Sequence, residues 1–171
     1  MFNPIYVAAI TIAAIACATD LRNRRIPNWL TFGAAAVALL VHAWMTGAAG
    51  VQTSVGGWLL GVALFLPFFA LRGLGGGDVK LLGAIGAWLG PSAVLYVAFH
   101  AAIAGGILAV IVAVRAGYLR TAITNIGVLV MCWRTTGMQP VDHFTLNNET
   151  VPKLAYAVPI FSGLVVTLWL R

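Results

Sequence analysis

Between Val79 and Val114 the chain runs for 36 residues with one charged side chain, Lys80. As a single helix this run would measure roughly 54 Å, while the hydrocarbon core of a bilayer is about 30 Å thick. A water-soluble domain has no place for it either, because it offers no continuous polar face. "LGPS" at residues 89–92 supplies a turn, so the run divides there into two crossings.

Further apolar runs cover residues 4–19, 29–45, 55–71 and 154–170, with "TGAAGVQTS" (46–54) read as a small-residue loop. Only 8% of the residues are charged and 61% are hydrophobic, whereas a soluble domain is about a quarter charged. The expected fold is therefore all-α: a polytopic membrane protein, a bundle of about six transmembrane helices. Residues 1–171 are read as one membrane-embedded domain. Long continuous runs exclude a β-barrel, which needs short alternating strands. The first 20 residues lack a basic leader segment and run straight into a polar loop, so they read as a retained helix. "TAITNIGVLVMCW" (121–133) is too short to span and reads as interfacial, within a cytoplasmic segment 115–153 that holds the long polar loop 134–150.

Charge orients the bundle. With the loop 20–28 in the cytoplasm, the loop 72–80 and the segment 115–153 lie there too. Nine of the ten basic residues then share one side, leaving Arg171 outside. The net charge of +6 thus speaks for membrane orientation and not for a nucleic-acid partner; the partner is the lipid bilayer. Cys17 and Cys132 form no CxxC pair and read as small buried apolar residues. His42, His100 and His143 have no second ligand at a suitable spacing, so neither metal nor cofactor is expected.

All four acids fall on the cytoplasmic side: Asp20, Asp78, Asp142 and Glu149. Asp20 closes the first run and Asp78 opens the fourth. Two crossings separate them, so both return to one leaflet. Each has an ordinary explanation alone: Asp78 can cap its helix, and Asp20 can pair with Arg22, Arg24 or Arg25. Together they are the only acids adjoining apolar helices. Two carboxyls within a few ångströms share one proton, a state suited to hydrolysing a peptide bond. One takes a proton from water while the other polarises the carbonyl.

The run Gly75-Gly76-Gly77 before Asp78 carries no side chains and tolerates unusual backbone angles, so a substrate strand can approach closely. A dinucleotide-binding GxGxxG needs glycine where Asp78 stands, and a P-loop needs Gly-Lys-Ser/Thr where the chain has Val79-Lys80-Leu81. Lys80 either tunes Asp78 and contacts substrate, or snorkels to the interface. The arginines after Asp20 are explained by topology, with substrate guidance the lesser reading. Gly57-xxx-Gly61 and Gly86-xxx-Gly90 indicate close packing of the third and fourth helices. The six tryptophans read mostly as interfacial anchors.

"TDLRNRRIPNWLT" (19–31) and "GLGGGDVKLLGAIGAWLGP" (73–91) resemble the two signature blocks of type IV prepilin peptidases, aspartic intramembrane proteases of the GxGD class. "KLAYAVPIFSG" (153–163) resembles their C-terminal block more weakly. The resemblance implies catalytic aspartates at Asp20 and Asp78 and removal of leader peptides from prepilin or pseudopilin precursors. It also implies a multi-pass protein of the bacterial inner membrane with its active site at the cytoplasmic side, working beside the pilus assembly machinery. The amino-terminal CxxC-bearing insertion of the full-length enzymes is absent from this sequence. The chain therefore resembles the short peptidase-only form of Flp/Tad-type pilus systems, with N-methyltransferase activity not expected. Two other classes fit less well: a small ion-coupled transporter, which needs acids at the bilayer midplane and inverted repeats, and a non-catalytic pilus assembly factor.

Overall fold

Small residues and prolines punctuate the chain, and its helices follow from where they fall. The computed structural model describes residues 3–117, 119–137 and 155–170. Among these, the elements are α1 (Pro4–Asn23), α2 (Asn28–Thr46), α3 (Ala48–Ala70), α4 (Gly76–Leu89), α5 (Pro91–Arg115), α6 (Leu119–Thr136) and α7 (Ala157–Trp169). Asn3 caps α1, its side chain accepting the Ile5 N–H at 3.0 Å, and Pro4 occupies the first helical position. Gly90, at φ +80°, ends α4, and Pro91 starts α5, so the 36-residue run breaks where "LGPS" predicts.

α1, α2, α3 and α5 are long and apolar enough to cross a bilayer. The protein is an all-helical, multi-pass membrane protein. α4 has 14 residues and α7 has 13, which gives each about 20 Å, short of a hydrocarbon core of about 30 Å.

Several expectations need correction. The stretch 46–54 is not a loop. Gly47 alone, at φ +60°, separates α2 from α3, and the rest of the stretch is helical. The helices can turn back so sharply because Gly50 lies directly on the His42 carbonyl of α2, where a Cβ has no room. α1 continues beyond residue 19 to Asn23, so Asp20 lies inside its last turn. Trp29, Trp44 and Trp169 are exposed near helix ends as anchors are, but Trp88 is buried and Trp58 half-buried against α4. Cys17 and Cys132 are half-buried.

α4 is the hub. Ten of its residues are buried, from Asp78 to Trp88, and it touches α1, α2, α3, α5 and α7. A helix enclosed on all sides needs neighbours that approach closely, and glycine provides the approach. The Gly57 and Gly86 backbones of α3 and α4 lie against each other, and Gly61 faces Leu82 and Gly83. The expected close packing of these two helices is therefore present. On α1 the buried residues are Ala9, Ala13, Ala16 and Asp20. Their spacing makes one helical stripe, and Asp20 continues an alanine stripe that faces α4 and α7. α5 and α7 meet the same way, with Gly163 against the backbone of Val97 and Ala101.

Gly86→Ala is expected to destabilise the bundle by about 1–3 kcal/mol, because its Cβ would collide with the Gly57 carbonyl. Gly106→Ala, with open space around it, is expected to be neutral or slightly stabilising. Thermal unfolding of the two variants in detergent checks the contrast.

Candidate active site

Four helix ends converge on one cavity of about 430 Å³. Its lining includes Asp20, Arg24, Arg25, Ile26, Pro27 and Asn28 from the end of α1 to the start of α2. Gly75, Gly76, Gly77 and Asp78 come from the start of α4, and Ala155 precedes α7. The two aspartates that the sequence pairs by topology thus line one cavity at one end of the bundle.

The α1–α2 turn forms from local chemistry. Arg24 closes α1 in the left-handed region at φ 50°, its N–H donating to the Asp20 carbonyl at 2.8 Å. Pro27 then leads into α2. This turn brings Arg24 and Arg25 to the cavity wall beside Asp20, which topology alone did not require of them.

Asp78 is 8% exposed and Asp20 9%, and each carboxylate is held by a backbone donor. Asp78 Oδ2 accepts the Gly75 N–H at 3.2 Å, the acidic half of a capping box at the N-terminus of α4, while the Asp78 N–H bonds the Gly75 carbonyl. Asp78 is thus not the N-cap residue, which is Gly75; it stands three residues inside and its carboxylate reaches back to the N-cap amide. Asp20 Oδ2 accepts the Ala157 N–H at 3.4 Å, from the first turn of α7. Each carboxylate therefore meets a helix N-terminus, Asp78 that of its own helix α4 and Asp20, from the last turn of α1, that of α7. They are close enough for the charge of Asp20 to act on Asp78. A buried acid held by backbone amides and facing a second acid across a hollow can exchange protons with whatever enters.

The glycines act by lacking side chains and not by unusual angles. Gly75 is extended at φ −76°, and the glycines with positive φ are elsewhere, at 47, 90, 117 and 137 among the described residues. A Cβ on Gly75 would sit 3.0 Å from Asp78 Oδ2, and one on Gly77 would meet Ile26 Cβ at 3.1 Å. Lys80 is held by α2: its Nζ donates to Asn28 Oδ1 at 3.0 Å and lies 5.4 Å from the centre of the Phe32 ring. It braces α4 against α2, and Asn28 carries that contact to the cavity.

The donor on Ala157 and the wall at Ala155 had only the weak C-terminal resemblance as a signal, since nothing in the spacing ties residue 157 to residue 20. Asp142, Glu149 and His143 lie outside the described residues. His42 bonds the Trp88 carbonyl at 3.0 Å and His100 the Thr167 hydroxyl at 2.8 Å, both remote from the cavity lining. Among the described residues, no three His, Cys, Asp or Glu side chains cluster as metal ligands do.

A profile described as the type IV leader peptidase family matches residues 7–110. The chain belongs to that family. It is 38% identical over 94 residues to proteins named prepilin leader peptidase/N-methyltransferase from Burkholderia pseudomallei, strains 1026b and K96243. The overlap is 52% of this chain and spans 30% of each relative's length. No solved structure matches the chain. Asp20, Asp78 and the glycine run lie inside the matched segment; Ala155 and Ala157 lie beyond it.

If the cavity cleaves peptides, Gly77→Val lowers that cleavage by about tenfold or more while membrane accumulation stays near normal, since a branched side chain at the cavity wall must displace Ile26. Cleavage of a prepilin in membranes, normalised to protein by immunoblot, measures both quantities.

Proposed function

We propose that this protein is an aspartic endopeptidase of the inner membrane that removes the leader peptide from type IV prepilin or pseudopilin precursors. The observation that carries the reading is the pair Asp20 and Asp78, both buried, on one cavity at one end of the bundle. Family membership and the names of the relatives agree with it. Only the peptidase half of those names is carried over, because the overlap spans 30% of each relative's length. The substrate class is a short basic leader joined to an apolar helix. The pilus assembly machinery is the setting in which such a product is used.

The chemistry needs one proton between the two carboxyls. A water held between them loses a proton to the ionised carboxylate as its oxygen attacks the scissile carbonyl carbon. The protonated carboxyl gives its proton to the carbonyl oxygen. When the tetrahedral gem-diol collapses, the C–N bond breaks, the leaving nitrogen receives the proton of the protonated carboxyl, and a gem-diol hydroxyl gives its proton to the other carboxylate, so that the pair again holds one proton. Gly75, Gly76 and Gly77 leave the approach open for an extended strand beside Asp78. The backbone donors at Gly75 and Ala157 hold the carboxylates still during the exchange.

The nine-to-one distribution of basic residues supports a cytoplasmic position for this end of the bundle. Six crossings with 115–153 on that side fit the same charges, with α6 lying at the interface. An ion-coupled transporter fits the arrangement less well, because the acids sit at a bundle end among helix termini.

Asp20→Asn and Asp78→Asn should each reduce cleavage on the order of 10³-fold or more with insertion intact, and the double variant should be hardly worse. Asparagine keeps the shape and still accepts the backbone hydrogen bond, so a purely capping role predicts little change. Asp142→Asn and Glu149→Gln serve as near-silent controls. The assay is the gel shift of a co-expressed prepilin, and full activity in either single variant would sink the dyad. Topology has its own check: a cysteine replacing Thr145 should resist a membrane-impermeant maleimide in intact cells and react once they are opened.

A further inference from the structure

Tyr156 stands immediately before α7, outside the cavity lining and beyond the segment matched by the family profile. Its ring packs edge-on against Phe65 of α3, with centroids 5.8 Å apart and planes at 72°. On another side it fills a notch in α5. A Cβ on Gly105 would lie 2.7 Å from the Tyr156 hydroxyl and 2.9 Å from two ring carbons. Any other residue at 105 would push the ring out. The residue after Tyr156 is Ala157, whose N–H donates to Asp20. The tyrosine is also near enough to Asp78 to feel its charge.

These contacts answer a question that the dyad raises. The donor to Asp20 sits at the very start of a 13-residue helix, and helix ends fray unless something holds them. Ala157 has no side chain long enough to anchor itself. The neighbouring ring does the anchoring, gripped by α3 on one side and by α5 on the other. We propose that Tyr156 is a positioning residue: wedged between Phe65 and the Gly105 notch, its ring fixes the first turn of α7, so that the Ala157 amide holds Asp20 in the orientation that faces Asp78. The inference rests on the peptidase reading for its catalytic consequence, but the wedge itself does not.

The wedge requires an aromatic ring and not a hydroxyl, which separates it from an acid–base role. In purified protein with a prepilin substrate, Tyr156→Ala and Tyr156→Leu are expected to lower kcat by about tenfold to a hundredfold with KM within about twofold, since a carboxylate displaced by a fraction of an ångström loses orientation more than binding. Tyr156→Phe is expected to retain kcat within about threefold of the native protein. Leucine keeps apolar bulk without reaching the notch, so it carries the test if the alanine variant accumulates poorly. A second readout needs no substrate. Amide exchange of the peptide at residues 155–160, followed by mass spectrometry in nanodiscs, should quicken in the Ala and Leu variants and not in the Phe variant. Native kcat in Tyr156→Leu, a Phe variant as impaired as the Leu variant, or a loss of kcat without faster exchange would each overturn the wedge. Faster exchange in a protein whose native form cleaves no prepilin would leave the wedge standing and overturn the peptidase reading.

Discussion

The backbone contact between Gly57 and Gly86 is the constraint on which the rest of the structure depends. It lets α3 press against α4 without intervening side chains, and so lets a 14-residue helix be enclosed by five others. Enclosure fixes α4 in rotation and in depth. Its N-terminus, with Asp78 in the first turn, then has a single position relative to the end of α1. In lipid no hydrophobic force draws helices together, so close packing between small residues must supply both affinity and register. The glycines that look like a linker motif and those that look like a packing motif therefore serve one purpose, which is to place a carboxylate.

Placing a carboxylate among apolar helices has an electrostatic requirement as well. A buried acid left without donors is costly. Here the donors are backbone amides at helix N-termini: Gly75 for Asp78 and Ala157 for Asp20. Such donors do not titrate and hold fixed directions when their helices are anchored. The cavity adds Arg24 and Arg25 on the α1 side, a basic wall next to an acidic pair. The site is thus assembled from helix ends, which hold two buried carboxylates in place.

Much of this is legible in the sequence. The break at Gly90, the helical class and the approach of α3 to α4 follow from residue type and period, and the count of crossings permits Asp20 and Asp78 to meet. Where the reading failed, it failed for identifiable reasons. "TGAAGVQTS" reads as a loop because its residues are small and polar, yet in a helix those residues permit Gly50 to lie on the His42 carbonyl. The glycine run suggested unusual backbone angles, but the helix starts there in ordinary ones. Trp88 looked like an interfacial anchor by its place near a segment end, but α4 carries it into the core.

By itself the sequence determined the class of fold, the side of the membrane on which charge collects and the two acids worth pairing. Hydropathy, charge and turn chemistry are local properties, and each can be read without knowing the neighbours. Only the tertiary structure decided that the first turn of α7 meets Asp20, that Arg24 and Arg25 line the cavity and that Lys80 reaches Asn28. These are contacts between residues far apart in the chain or choices of side-chain direction at a helix end. Both are set by how the helices pack and by no period in the sequence.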